Sequence, residues 1–166
     1  MRWIWIDRFV DFVSGERASA VKNVTLAEEY LHDHFPGFPV MPPSLMIEGM
    51  AQTAGILVGE ARGFSENVIL AKIRKAKFDG FVFPGDQLRY DATLDAMDER
   101  AGVTSGTVSR NGTVIGEVNL IFSHVNQAEG ASGLPDHNFV FTKRFLDLLE
   151  DFKARVRAGG DQADGG

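Results

Sequence analysis

Residues 34–61 decide the fold of this chain, and they read HFPGFPVMPPSLMIEGMAQTAGILVGEA. Prolines interrupt the first part, so residues 34–44 cannot form a regular helix, because each proline lacks an N–H donor and biases the preceding residue towards extended conformations. Residues 44–61 predict one long helix. Pro43 suits its first turn, where the missing N–H costs nothing, and Gly63 suits its end.

The composition of this helix is unusual. Gly49, Gly55 and Gly59 each cost about 1 kcal/mol relative to alanine in a helix interior. Ala51 and Ala54 are also small, and charged residues are few. We interpret the segment as a buried helix that is closely wrapped by other backbone.

Six stretches with strand character flank the helix, two before it and four after it. They are residues 8–13, 17–25, 68–78, 87–98, 102–110 and 113–124. Ser14-Gly15 forms a turn pair between the first two, and Asn111-Gly112 between the last two is the strongest short hairpin signal. Residues 26–33 predict a short helix.

Hydrophobic alternation indicates which strand faces are buried. Along residues 87–98, apolar residues that start with Leu88 and Tyr90 alternate with polar and charged ones, so the two kinds lie on opposite faces of the strand. In the last strand, we expect Val114, Val118, Leu120 and Phe122 to share one face. Together these patterns predict an antiparallel sheet wrapped around the central helix, an α+β architecture.

Composition excludes several functional classes. The 166 residues include 17 basic and 23 acidic side chains, a net charge of −6, whereas a nucleic-acid-binding protein needs a basic footprint. The absence of cysteine excludes disulfides, thiolate chemistry and cysteine-based metal sites, and it fits a reducing cytoplasm. No stretch resembles an export signal or a membrane span, since the longest apolar run near the start is Trp3–Ile6.

The last forty residues differ from the rest. We divide the chain into a domain over residues 1–125, a linker with an amphipathic helix over 126–157 and a disordered tail over 158–166. The helix, predicted over 141–157, carries an apolar stripe from Phe141 to Val156. We expect it to dock on its own domain or on a twin subunit.

Two ionisable residues are candidates for chemistry. His34 begins the proline-rich passage, and Glu48 lies within the buried helix, where an unpaired carboxylate is costly. Gln52 follows one helical turn after Glu48 on the same face. The residues alone leave two interpretations open: a functional pair, or a structural histidine and a carboxylate satisfied by local backbone.

The segment HFPGFPVMPPSLMIEGMAQ, from His34 to Gln52, resembles the signature of the β-hydroxyacyl-acyl-carrier-protein dehydratases of dissociated fatty-acid biosynthesis. AKIRKAKFDGFVFPGDQL, residues 71–88, resembles the strand, PGD turn and strand of the same family. The likeness spans about residues 7–124. It implies a hot-dog fold, an antiparallel sheet rolled around one long helix, to which this chain would add a C-terminal helix.

The resemblance also implies an activity and roles for named residues. The enzyme would remove water from a (3R)-3-hydroxyacyl chain on acyl carrier protein, leaving a trans-2-enoyl thioester. His34 would be the base at C2, since a neutral imidazole titrates near working pH. Glu48 would assist the leaving hydroxyl as an acid, because an apolar pocket favours a protonated carboxyl group. Gln52 would orient Glu48 or a water.

Further properties follow from the same resemblance. The family builds each site across a dimer interface, with the histidine and the carboxylate from different subunits, so we expect a homodimer, or a trimer of dimers. No bound cofactor is needed, because the thioester supplies the activation. Glutamate at position 48, where the related dehydratase-isomerases carry aspartate, favours simple dehydration without isomerisation.

One departure from the family pattern concerns the helix start. The family has a glycine whose N–H binds the thioester carbonyl, whereas this chain has Pro43, which has no N–H. Ser44 offers an N–H and a hydroxyl in its place. Two alternatives therefore stay open: a thioesterase with Glu48 as base or nucleophile, and a non-catalytic acyl-binding subunit.

Two weaker signals complete the sequence picture. In the run His32, Asp33 and His34, the two alternate histidines could bind zinc. No third ligand follows at a spacing that is typical of zinc sites, so we predict no metal site. A basic cluster from Lys72 to Lys77 is either a docking patch for the acidic carrier protein or a solvated strand face.

Overall fold

One antiparallel sheet of six strands encloses the long helix in the computed structural model, which describes residues 3–125 and 140–160. The elements are β1 (Arg8–Val13), β2 (Arg17–Asn23), α1 (Tyr30–Asp33), α2 (Pro43–Glu60), β3 (Asn67–Phe78), β4 (Gln87–Met97), β5 (Ala101–Arg110), β6 (Thr113–Val125) and α3 (Lys143–Gly160). The six predicted strands and the central helix are all present.

The strand order is β1-β2-β4-β5-β6-β3, so β1 and β3 form the two edges. The β5–β6 hairpin turns at Asn111 and Gly112, which both have positive φ, at 49° and 86°. A two-residue turn of this type requires a positive φ at both positions, and asparagine and glycine tolerate it best. Among the described residues, no helix is long and apolar enough to cross a membrane.

Helix α2 is buried along most of its length, as predicted. Strands of the sheet surround it, but the atoms nearest its glycines are aromatic side chains and not the expected backbone. A Cβ on Gly49 would lie 2.4 Å from Cζ of Tyr90, and one on Gly59 would lie 2.3 Å from Cζ of Phe141. The helix glycines therefore make room for rings from β4 and from the segment before α3.

Two local predictions are wrong. Only Tyr30–Asp33 are helical in the region predicted over 26–33, because a turn in which Glu28 N–H donates to Thr25 O (3.1 Å) precedes them. In β6, Val114 is 59 % exposed, whereas Ile115 is buried. The pairing of β5 with β6 shifts between Val108 and Ser109, and such a bulge turns the residues beyond it to the opposite face.

Helix α3 packs on its own domain, against β1, which is one of the two expected docking modes. Leu149 is buried, and the Nζ of Lys153 lies 3.7 Å from Oε1 of Glu60 at the end of α2. Val156, predicted on the apolar stripe, is 58 % exposed. Helix α3 runs to Gly160, so the disordered tail predicted over 158–166 begins too early. Residues 126–139 of the predicted linker and helix, 126–157, and residues 161–166 lie outside the described residues.

Candidate active site

Glu48 projects from the first half of α2, and two donors hold one of its carboxylate oxygens. Oε1 accepts hydrogen bonds from Nε2 of Gln52 (2.9 Å) and from the indole Nε1 of Trp3 (3.0 Å). Within the described residues, Oε2 receives no hydrogen bond. The carboxyl group is therefore fixed through one oxygen and presents the other.

Gln52 is the centre of this network. Its Oε1 accepts the backbone N–H of Trp5 (2.8 Å), and its Nε2 donates to the carbonyl of Trp3 (3.2 Å) as well as to Glu48. Both donors and the acceptor of the amide are thus engaged, and the side chain is buried. These hydrogen bonds tie Gln52 to Glu48 and the N-terminal segment to α2, and they leave the amide no free donor among the described residues.

Sequence reasoning missed Trp3. The only signal was its place in the apolar run Trp3–Ile6. Its indole reaches Glu48 across 45 positions of sequence, and its ring lies edge-on to Trp5 at 5.7 Å. An indole N–H is a donor only, so it favours an oxygen acceptor at this point.

His34 lies at the end of α1, in a loop held by hydrogen bonds. The N–H of Val40 donates to the carbonyl of His34 (2.9 Å), and Nδ1 of His34 lies 2.9 Å from the carbonyl of Val40. Because a carbonyl oxygen only accepts, Nδ1 of the neutral ring carries the proton. Nε2 then keeps a free lone pair, the form that a general base requires.

Pro43 and Ser44 form the exposed first turn of α2. The carbonyl of Pro42 accepts the N–H of Leu45 (3.0 Å) and of Met46 (3.4 Å). The Ser44 N–H has no acceptor among the described residues, so it is a free donor at the helix start. This N–H is the group expected to replace the glycine N–H of the family pattern.

An apolar cavity of about 330 Å³ begins beside Glu48. Trp3 and Gln52 share its polar end with Glu48, and apolar side chains from α2, from β3 and from Phe122 of β6 form the rest. Val140, Phe141 and Phe145 complete the wall. His34 is not part of the lining, and within the described residues no hydrogen bond joins it to Glu48. One chain therefore brings Glu48 and Gln52 together but not His34.

A second group of ionisable residues lies away from this cavity. His124 is buried at the end of β6, with Nδ1 3.4 Å from Oε2 of Glu66, which also pairs with Arg62 (2.8 Å). Burial lowers the pKa of His124, although Glu66 opposes the shift. Over the residues that the structure describes, no three His, Asp or Glu side chains form a metal-binding group.

Comparison with known proteins places the chain in a family. Residues 3–119 match the model of the FabA-like domain. The chain belongs to this family. Among its relatives, the 3-hydroxyacyl-[acyl-carrier-protein] dehydratase FabZ of Granulibacter bethesdensis is 40 % identical over 123 residues, which cover 71 % of each chain. The FabZ of Herpetosiphon aurantiacus is 34 % identical over 125 residues, which cover 75 % of this chain and 89 % of the relative.

Solved structures agree on the fold of this FabA-like chain. The dehydratase heterocomplex ApeI:P from Xenorhabdus doucetiae superposes with a TM-score of 0.64 at 22 % identity, over 76 % of this chain and 86 % of the other. The PaaI protein of E. coli superposes with a TM-score of 0.58 at 11 % identity, over 71 % and 78 %. At these identities the likeness shows the fold alone, and it confirms the predicted hot-dog fold.

Proposed function

We propose that this protein is a 3-hydroxyacyl-[acyl-carrier-protein] dehydratase, a hydro-lyase of fatty-acid biosynthesis. The FabZ relatives carry that name and match most of the chain. The observation that carries the proposal is the carboxyl group of Glu48, held through one oxygen at the mouth of an apolar cavity. A fatty acyl chain needs such a cavity, and its 3-hydroxyl group needs an acid beside it.

The proposed reaction uses two groups. Nε2 of His34 takes the proton from C2, and the electrons of the C2–H bond form the C2–C3 double bond. The C3–O bond breaks, and its electron pair leaves with the hydroxyl oxygen. Glu48 gives that oxygen a proton from Oε2, so water departs. Proton exchange with solvent then returns the imidazole and the carboxyl group to their starting forms.

The thioester carbonyl also needs a donor, since negative charge grows on its oxygen as the C2 proton leaves. The free N–H of Ser44 at the start of α2 is the donor that we propose. Pro43 supplies no N–H, and its place at the first helical position leaves Ser44 as the next donor along the chain. Because Pro43 cannot donate a hydrogen bond, its contact with the substrate would be made by its ring alone.

We further propose that each site forms between two copies of the chain, with His34 of one copy facing Glu48 of the other. His34 lies outside the cavity of its own chain, which supports this arrangement. Residues 71–77 of the edge strand β3 are all exposed, including Ile73 at 46 %. A second copy would pair with the backbone of this edge, which leaves the charged ends of the Lys72 and Arg74 side chains in solvent, and assembly of dimers into a trimer of dimers is compatible with the same pairing.

The acidic partner, acyl carrier protein, would meet a positive surface on β3. Lys75 pairs with Glu117, and Lys77 pairs with Asp79 (3.2 Å). Lys72 and Arg74 make no ion pair within the described residues, so their charges are the ones available to an acidic partner. This local positive patch would favour docking of the acidic carrier protein even though the chain as a whole carries a net charge of −6.

A direct assay tests the activity. The protein is given a 3-hydroxyacyl thioester, and the enoyl absorbance and the free thiol are followed together. We expect enoyl product without thiol, and we expect His34→Ala to abolish it while His32→Ala, a change at an exposed neighbouring histidine, does not. Free thiol without enoyl product would identify a thioesterase, and neither product would identify an acyl-binding subunit.

Mixing two inactive variants tests the shared site. His34→Ala and Glu48→Gln subunits are unfolded together and refolded as a mixture. Random pairing makes half of the dimers mixed, and each mixed dimer keeps one complete site, so we expect about a quarter of the wild-type activity. No recovery in a mixture shown to contain mixed dimers would mean that the two groups do not come from different copies.

A further inference from the structure

The cavity beside Glu48 is closed by a part of the chain that the family domain does not include. The family match ends at residue 119, whereas Val140, Phe141 and Phe145 line the cavity. Phe141 is 8 % exposed, so its ring belongs to the packed interior. The C-terminal segment therefore adds a wall to the cavity.

The position of that wall follows from α2. Glu48 and Ile56 both line the cavity, and at about 1.5 Å per residue they lie about 12 Å apart along the helix axis. Gly59 is the next small residue on the helix, and the ring of Phe141 covers it closely enough that a Cβ there would lie 2.3 Å away. Phe141 thus lies at the end of the cavity that is remote from Glu48.

Contacts on both sides of the Phe141 segment fix this wall in place. The ring of Phe141 lies edge-on to that of Phe64, with 4.9 Å between centroids. Helix α3, which follows directly, is anchored by buried Leu149 and by the ion pair of Lys153 with Glu60. The ion pair ties α3 to the end of α2, and Leu149 fixes the helix on its own domain, so a ligand chain meets a fixed surface.

We infer that Phe141, together with Phe145, determines the length of the acyl chain that this enzyme accepts. The inference rests on the proposed function, because it takes the reacting carbon to lie at Glu48. Three bonds of an extended chain span about 3.6 Å, or about 1.2 Å per bond. The cavity extends about 12 Å along α2 from Glu48 to Ile56, which is enough for about ten bonds of an acyl chain beyond C3. We therefore expect chains of medium length to be the preferred substrates.

The experiment compares 3-hydroxyacyl thioesters from about six to about sixteen carbons. For the wild type, kcat/KM should rise about fourfold for each added methylene group while the chain fills the slot. It should then fall once the chain reaches Phe141. Phe141→Ala should move the maximum by about four carbons, since an apolar space vacated by a side chain accepts an apolar ligand.

Two further variants keep the result interpretable. Phe141→Leu shortens the wall with less loss of packing, and we expect an intermediate shift of the maximum. Phe152→Ala is the matched control: it removes a half-buried ring of α3, the helix that follows Phe141, and this ring does not line the cavity, so the maximum should stay where it is in the wild type. A shift in Phe152→Ala equal to that in Phe141→Ala would overturn the inference.

Binding of saturated fatty acids separates this inference from the proposed function, and it is followed through the fluorescence of the two tryptophans, of which Trp3 lines the cavity. Dehydration with an unchanged length profile in both Phe141 variants would overturn the inference and leave the function in place. No enoyl product at any length, with a binding cut-off that still moves in Phe141→Ala, would overturn the function and support the wall.

Discussion

Replacing Gln52 with leucine tests whether its amide holds the site together. The side chain makes three hydrogen bonds: it accepts from Trp5 N–H at 2.8 Å, and it donates to Glu48 at 2.9 Å and to the carbonyl of Trp3 at 3.2 Å. Leucine has a similar volume but no polar atoms. The change therefore removes the network and leaves the shape of the helix face nearly intact.

The magnitude follows from the burial of these groups. Trp5 is 5 % exposed, so its N–H is left buried without an acceptor, at a cost of about 1–3 kcal/mol. For a chain of this size each kcal/mol lowers Tm by about 2–4 °C, so we expect a loss of about 2–12 °C. Glu48 also loses one of the two donors on Oε1, and a misplaced catalytic group costs on the order of 10²-fold in rate, so we expect kcat to fall about 10- to 100-fold.

The assay combines thermal unfolding with enoyl formation under saturating substrate. Thr53→Val is the matched control, because Thr53 is the next residue of the same helix and its hydroxyl donates only to the carbonyl of Gly49 (2.8 Å). We expect this control to lower Tm slightly and to leave kcat unchanged. If Gln52→Leu keeps the wild-type kcat, or if Thr53→Val loses as much kcat as Gln52→Leu, the positioning role assigned to Gln52 is wrong.

Three further predictions concern the helix start, the helix packing and the pH dependence. Ser44→Pro removes the free N–H at the start of α2 and should lower kcat/KM by about 10²- to 10³-fold. Ser44→Ala keeps the N–H and should keep most of the activity. Equal losses of kcat/KM in the two variants would contradict the donor role of Ser44. Gly49→Ala places a Cβ 2.4 Å from the ring of Tyr90 and should destabilise the fold by about 1–3 kcal/mol in urea unfolding. Because burial lowers the pKa of His124 below that of the unfolded chain, its contribution to stability is fully present above pH 6.5 and is lost as pH falls towards the lower, folded-state pKa. His124→Gln should therefore flatten the decline of the urea midpoint below pH 6.5, and an unchanged slope would assign the decline to other groups.

Local patterns predicted most of the fold. The proline-rich entrance and the run of apolar and small residues determine where α2 begins and ends, and Asn111-Gly112 determines a hairpin, because these signals act within a few residues. The residues alone singled out His34 and Glu48 by their location, and the resemblance of the segment from His34 to Gln52 to the dehydratase signature is what favoured a functional pair. The prediction for Val114 was wrong because the bulge at Ile115, opposite Val108 and Ser109, depends on how two strands pair, which alternation within one strand does not report.

The amino-acid sequence by itself determined the helix, the six strands and the candidate residues His34 and Glu48. Only the tertiary structure decided how Glu48 is held and what closes the cavity beside it. Trp3 reaches Glu48 across 45 positions, and Phe141 covers Gly59 from the segment before α3, outside the family domain. Contacts of this kind depend on how the sheet curls around α2 and how α3 packs, and no periodicity along the chain encodes the distance between such remote side chains.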